Sequence, residues 1–271
     1  MKIPAERLYS VAEKIFSETP VQIGEEKKVK MFNRGAYLAG GAIVNTLLGS
    51  EPNDYDIFFR DKDLALDFAR AAVRGLPVTA SVVQVNDKVD RVVLEANFST
   101  INRILKADKK NELSFVSNTA LSYKNKLQVI TAFIGEPEDV FKFFDYEHCK
   151  VYMDFNIVEE KFVVGDEQTI SAILTKDLIY TGGSKYILSA LMRSQKFAKR
   201  GWSMKLSSAL RLSKGLGEID LTNKKELKEQ LISFYGLSDA ADDLLNQATR
   251  LDDFSSIDFD KLITVLEGVY K

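Results

Sequence analysis

Asp54 and Asp56 stand two positions apart in NDYDIFF, and that spacing decides what the pair can do. Side chains alternate along an extended chain, so both carboxylates leave one face, about 7 Å apart along the backbone. Two neighbouring acids repel each other. A divalent cation removes the repulsion, and the phosphates of a bound substrate can complete its coordination shell. Upstream, Gly40 and Gly41 open the short apolar run AIVNTLLG. Glycines let a backbone approach a phosphate closely, and the first turn of a helix offers unpaired N–H groups to negative charge. Glycine pair, helix and acid pair in that order set donors for a triphosphate beside acceptors for its metal.

The rest of the composition narrows the metal. Cys149 is the only cysteine and His148 the only histidine, so no intrachain disulfide and no cysteine-built zinc site can form. Carboxylate oxygens must carry a metal site here, which suits Mg2+ or Mn2+. A net charge of -2 argues against a protein that coats nucleic acid through overall positive potential. Charge is nevertheless unevenly spread. Between Lys185 and Gly217 lie Lys185, Arg193, Lys196, Lys199, Arg200, Lys205, Arg211 and Lys214 with no acid among them. Such a run is either a solvated helix face or a phosphate-binding one.

Elements that could position these groups follow from apolar spacing. A first helix is expected with Pro4 near its first turn and Leu8, Val11, Ala12, Ile15 and Phe16 along one stripe. A lysine-rich loop at EEKKVK follows, then a strand into Gly40-Gly41, a helix ended by Gly49, a strand at DYDIFFRD, and a helix in DKDLALDFARAAVRG. Residues 78–164 are strand-like, with Asn125 and Lys126 turning one hairpin, Glu159 and Glu160 another, and a short helix at EPEDVFKFF. From residue 166 the spacing is helical almost throughout, up to KKELKEQLISFYG, AADDLLNQATRL and FDKLITVLEGVYK. The reading is α+β: a catalytic domain over residues 1–165, built on a mixed sheet flanked by helices, and an all-helical domain over residues 166–271 that supplies phosphate and acceptor contacts. No stretch approaches the roughly 20 apolar residues of a membrane span. MKIPAERLYSVAEKIF lacks the apolar centre of a secretory signal, so a cytoplasmic location is expected.

AGGAIVNTLLGSEPNDYDIFF resembles the signature of the polymerase-β-like nucleotidyltransferases, and within them the tRNA nucleotidyltransferase and bacterial poly(A) polymerase branch. Gly40, Gly41, Leu47, Leu48, Gly49, Asp54 and Asp56 match, while Val44 and Asn45 stand where that branch has Arg-Asp. LMRSQKFAKRGW is similar to a helix of the same branch. That resemblance implies that Arg193 and Lys196 face the phosphates of a bound nucleotide, and positions 193, 196 and 200 share one helix face. NTALSYKNKLQVI resembles a further strand pair of the branch without its arginines. GEPEDVFKFFDYEHC, followed later by YTGGSKYILSALMRSQKFAKRGW, resembles nucleotidyltransferase proteins of tailed bacteriophages, which would place the chain in a host cytoplasm.

Transfer to the α-phosphate requires an acceptor hydroxyl to lose its proton, and a third carboxylate commonly serves the metal that activates it. Asp145, Glu147 and Asp154 are the candidates. Asp145 is preferred because it follows a helix where a strand begins, with Asp154 second. His148, placed on a strand face with Asp154, reads as a hydrogen-bonded structural residue, Cys149 as a small buried one, and Trp202 as core. The expectation is thus a metal-dependent nucleotidyltransferase. Asp54, Asp56 and Asp145 hold Mg2+ or Mn2+; Gly40, Gly41, Arg193, Lys196 and Arg200 hold a nucleoside triphosphate. An RNA 3′ end, perhaps of tRNA, is the first acceptor to consider, with a protein side chain or small molecule behind it. The competing expectation is a nucleotide- or RNA-binding regulator without catalysis.

Overall fold

Phe16 shows how this chain builds its core: its ring meets Phe32, Phe59, Phe68 and Phe155, contributed by four separate stretches of sequence. The computed structural model describes residues 1–156, 161–220, 223, 225–227, 229 and 230. Its elements are β1 (Lys2–Pro4), α1 (Glu6–Ser17), α2 (Glu25–Met31), β2 (Asn33–Ala39), α3 (Gly41–Leu47), β3 (Tyr55–Phe59), α4 (Lys62–Ala72), β4 (Thr79–Gln84), β5 (Asp90–Glu95), α5 (Phe98–Ala107), β6 (Leu113–Val116), β7 (Ala120–Tyr123) and β8 (Leu127–Ile130). They continue with α6 (Pro137–Val140), β9 (Tyr152–Asn156), β10 (Phe162–Val164), α7 (Glu167–Thr175), β11 (Asp177–Leu178), α8 (Ile187–Ala198), β12 (Ser203–Met204) and α9 (Leu206–Gly217).

Eight strands form one mixed sheet in the order β1-β10-β9-β2-β3-β8-β7-β6. All neighbours are antiparallel except β3 and β8, which run parallel. The fold class is therefore α+β with a large mixed sheet flanked by helices, as the pattern of the sequence indicates. Alternation divides the central strands between two faces. Ala36, Leu38, Ile57 and Phe59 enter the main apolar cluster with α1, α3 and α4, while Tyr37, Ala39 and Phe58 form a smaller cluster with Val140 and Phe141. Asp56 shares the second face with Phe58. The main cluster continues into Ile170, Ile173, Leu178, Tyr180, Ala190, Trp202 and Leu212, so the later helices pack on the same core.

Several local expectations change. EEKKVK is helical in α2, with Glu25 and Glu26 in the first turn and Lys28 and Lys30 in the last, complementing the helix dipole. Ion pairs from Lys27 to Asp67 and from Lys30 to Asp61 fasten α2 to α4 and to its N-cap. Pro4 lies in β1 rather than in a helix, and Val11 is on the exposed side of α1. The segment between β5 and β6 holds α5, capped by Asn97, whose side chain accepts from the Thr100 N–H at 2.9 Å. β4 and β5 form a two-stranded ladder of their own, and β11 pairs with β12 inside the otherwise helical later part. The hairpin at Asn125 and Lys126 forms, with Lys126 at φ 69. The turn expected at Glu159 and Glu160, and the three helical stretches expected beyond residue 223, lie outside the described residues except for the few positions named above.

His148 lies in a single 3-10 turn, Glu147–Cys149, and not on a strand. It is 1% exposed, packs at a tilt against Trp202 with ring centroids 4.1 Å apart, and meets the edge of Phe197 at 4.6 Å. Neither ring nitrogen has a hydrogen-bond partner among the described residues, in contrast to the hydrogen-bonded residue expected. Burial pulls its pKa down to about 3. A histidine held neutral in the folded state but protonated when unfolded adds stability above about pH 6.5 and loses it as pH falls toward 3. We predict that the unfolding free energy drops by about 2 kcal/mol between pH 6.5 and 4.5 on this account. His148→Phe should flatten that limb in urea titrations; an unchanged slope would show that His148 does not control it.

Candidate active site

The chain enters the site along two neighbouring strands. β2 ends at Ala39, the register partner of Asp56 on β3, and the backbone then turns through Gly40 into α3. Gly40 has φ 74 and ψ -130, a conformation that side-chain-bearing residues resist, and its N–H donates to the Val151 carbonyl at 3.1 Å. A Cβ on Gly41 would meet nothing within 4 Å, so the start of α3 faces open space. Amides in the first turn of a helix have no intrahelical acceptor and remain available to an anion. Gly49, at φ 73, closes α3 and returns the chain to the sheet.

Asp54 immediately precedes β3, and Asp56 is its second residue. The Tyr55 N–H donates to the Lys126 carbonyl at 2.9 Å, and the Lys126 ammonium donates to the Pro52 carbonyl at 3.3 Å; together they pin the acidic segment to the β7–β8 hairpin. Tyr55 is buried on the core side, which leaves Asp54 and Asp56 on the other. Oδ1 of Asp56 is sealed from solvent with no hydrogen-bond partner. Burial first, then the charge of Asp54, pushes the Asp56 carboxyl up to about 8, while the Lys196 ammonium pulls it back. Neither aspartate makes an ion pair with a described residue.

Each of the three acids considered for a third metal ligand is paired with a cation. Asp145 pairs with Arg193, Glu147 with Lys150 at 3.0 Å, and Asp154 with Arg60 at 2.6 Å. Glu147 also accepts from the Thr169 hydroxyl at 2.8 Å. Among the described residues no group of three His, Cys, Asp or Glu side chains is arranged to hold a metal ion. Asp145 thus does not join Asp54 and Asp56 in a three-acid set. The two aspartates supply hard oxygen donors, one of them a sealed and unpartnered oxygen, and this set fits Mg2+ or Mn2+, which keeps most of its shell for water and phosphate.

α8 carries the basic groups. Arg193 reaches Asp145, and Lys196, one turn later and exposed, acts on Asp56 through its charge. Arg200 lies past the end of α8, in the turn closed by Gly201, and is exposed. Sheet pairing adds two residues that the sequence does not single out. Gln128 on β8 is the register partner of Asp56, and Ser122 on β7 is the partner of Gln128. A polar row of Asp56, Gln128 and Ser122 therefore crosses three strands on one face. Cys149 sits beside the site with its thiol pushed up to about 12 by burial and by Asp145, which favours the protonated form at neutral pH.

The model of the Gabija anti-defense 2 (Gad2) family matches residues 5–176, well over half of the chain. The chain belongs to the Gad2 family. The Gad2 match takes in the glycine pair, both aspartates and Asp145, and stops before α8. No curated protein matches the chain. Among solved structures, it is similar to a tRNA-processing enzyme in its apo form, with 15% identity, 100% of this chain and 59% of that one covered, and a TM-score of 0.47. It is also similar to the Thermotoga maritima CCA-adding enzyme complexed with tRNA, with 14% identity, 82% and 50% covered, and a TM-score of 0.43. A tRNA nucleotidyltransferase complexed with a primer tRNA and an ATP analogue gives 14% identity, 87% and 56% covered, and a TM-score of 0.43. This Gad2 chain spans between half and three fifths of the length of those proteins.

An acid whose folded pKa lies above its unfolded value of 3.8 keeps a proton that the unfolded chain gives up. Its contribution is complete below about pH 4 and is lost as pH rises toward 8. In metal-free buffer, Asp56→Asn should therefore stabilise the protein progressively more between pH 4 and 8, with the gain levelling off above. Denaturant midpoints of both proteins in EDTA test this; a constant offset across that window would contradict the strained acid pair.

Proposed function

We propose that this chain is a metal-dependent nucleotidyltransferase that moves a nucleoside monophosphate from a nucleoside triphosphate to an acceptor hydroxyl. One observation carries the reading: Asp54, just before β3, and Asp56 on it are close enough for the charge of one to act on the other without an ion pair to a described residue, beside a glycine-opened helix start and under the field of Lys196. Asp54 and Asp56 would hold Mg2+ or Mn2+. When bound, the cation neutralises the phosphates and polarises the reacting phosphorus centre. Gly40 and Gly41 admit the phosphate tail to the backbone, and Lys196, with Arg193 and Arg200 on the same basic segment, balances its remaining charge. The acceptor oxygen bonds to the α-phosphorus, the bond to the β-phosphate oxygen breaks, pyrophosphate leaves and the hydroxyl proton passes to solvent.

An RNA 3′ end, tRNA-like in its demands, is the leading acceptor. It suits a basic run from Lys185 to Lys214 in a chain that is otherwise slightly acidic. A protein side chain or a small molecule is the other acceptor class, and it suits an anti-defence family whose target is a defence system. The neutralised third acids also favour a second reading, a nucleotide- or RNA-binding regulator without transfer. In either case the protein acts in the cytoplasm, that of an infected host for a phage protein. No described helix is long and apolar enough to cross a membrane.

Titration calorimetry with each ribonucleoside triphosphate, with and without Mg2+, separates the two readings. The enzyme reading expects Mg2+-dependent binding that Asp54→Asn/Asp56→Asn abolishes. It also expects α-labelled nucleotide on RNA or protein, formed on the order of 10²-fold more slowly or worse by either single variant. Metal-independent binding unchanged in the double variant, with no label transferred, would establish the regulator.

A further inference from the structure

Asp145 is 7% exposed, and everything around it ties the segment before β9 to α8. Its carboxylate pairs with Arg193. Its main-chain carbonyl accepts from the Thr181 N–H at 2.9 Å and the Thr181 hydroxyl at 3.1 Å. The next residue, Tyr146, donates its phenol to the Ala190 carbonyl of α8 at 2.6 Å and meets the Phe197 ring of the same helix at 5.7 Å. Gly183 closes the arrangement: a Cβ there would lie 2.1 Å from the Lys142 carbonyl oxygen, so residues 142–146 and 180–183 touch backbone to backbone. Across this packed seam the Asp145–Arg193 pair is a charged and directional contact. It holds α8 at Arg193, and Lys196, three residues on, lies on the same helix face.

We propose that Asp145 is a positioning residue: it tethers Arg193 and so sets how α8 presents its basic side chains to the substrate phosphates, and it does not bind the metal. The inference rests on the nucleotidyl-transfer reading above. A buried carboxylate committed to a guanidinium would have to surrender that partner to join a metal shell, and among the described residues Asp145 is not gathered with Asp54 and Asp56 into a metal-holding group. Asp54 and Asp56 face no such exchange. Asp145 thus governs triphosphate affinity through α8, while the metal depends on the other two acids.

The test uses the full chain and α,β-methylene analogues of ATP, CTP, GTP and UTP, titrated separately over a series of Mg2+ concentrations. Asp145→Asn should weaken the tightest analogue about 10-fold at saturating Mg2+ and leave the Mg2+ concentration for half-maximal binding where it is. Asp145→Glu, which keeps the charge, should restore most of the affinity. Arg193→Lys carries the same expectation of weakened binding, and serves if Asp145→Asn does not fold by circular dichroism. A shift in half-maximal Mg2+ with Asp145→Asn, or unchanged analogue affinity in it and in Arg193→Lys, overturns the positioning role. Asp54→Asn runs beside them as the reference. If it leaves Mg2+-dependent binding intact, the nucleotidyl-transfer reading itself fails, and this inference with it.

Discussion

Electrostatic imbalance at one point of the sheet governs this structure. The chain has nearly equal numbers of acids and bases, 39 against 37, and around the sheet ion pairs engage several of the acids. Asp154 takes Arg60, Glu147 takes Lys150, Asp145 takes Arg193, Asp61 takes Lys30 and Asp67 takes Lys27. Asp54 and Asp56 are left close together without an ion pair to a described residue, with one carboxylate oxygen sealed and the charge of Lys196 nearby. Surface pairs contribute little to stability, so the pattern matters less for holding the fold than for the charge it leaves at this point.

That site depends on sheet register. β3 has a core face, Ile57 and Phe59, and an opposite face, Asp56 and Phe58. A slip of one residue would drive Asp56 into the main core and expose Ile57 and Phe59. The apolar residues of YDIFF therefore aim the acids as well as burying the strand. The same logic places Ala39 opposite Asp56: a small side chain at the end of β2 leaves room where β2 turns into the glycine pair. Pairing on the other side, with β8, is parallel and sets Gln128 next to Asp56.

What was legible in the sequence is what is local. Gly40-Gly41, α3 and the two aspartates fall within one short stretch, and the roles expected of them rest on strand alternation and helix-end chemistry. Asn125-Lys126 was legible for the same reason, since a turn is decided by its own residues. α8 showed itself through its apolar spacing. The parallel pairing of β3 with β8 was not legible, because the two strands are separated by α4, β4, β5, α5, β6 and β7. Nor was the partner of Asp145, which sits 48 residues away. α2 looked like a loop because its seven residues carry little apolar signal; ion pairs to Asp61 and Asp67 support it instead. α5 was hidden by its strand-rich surroundings, although Phe98, Ile101 and Leu105 keep helical spacing. His148 was misplaced because a 3-10 turn interrupts what reads as one strand.

The division of charge along the chain also bears on what the site selects. The acids that would hold a cation belong to the stretch shared with the Gad2 family, residues 5–176, whereas the basic helix lies beyond it. A polyanion approaching this protein meets a net charge of -2 overall, and attraction where the charge of Lys196 on α8 reaches Asp56 on β3. Screening limits such attraction to about 8–10 Å at physiological salt. Extended phosphate backbones gain little from so short a favourable stretch unless one end is seated in the site. On the proposed reading, a compact triphosphate carrying its own cation would gain from both halves at once, its metal relieving the repulsion between Asp54 and Asp56 while its oxygens meet the field of Lys196.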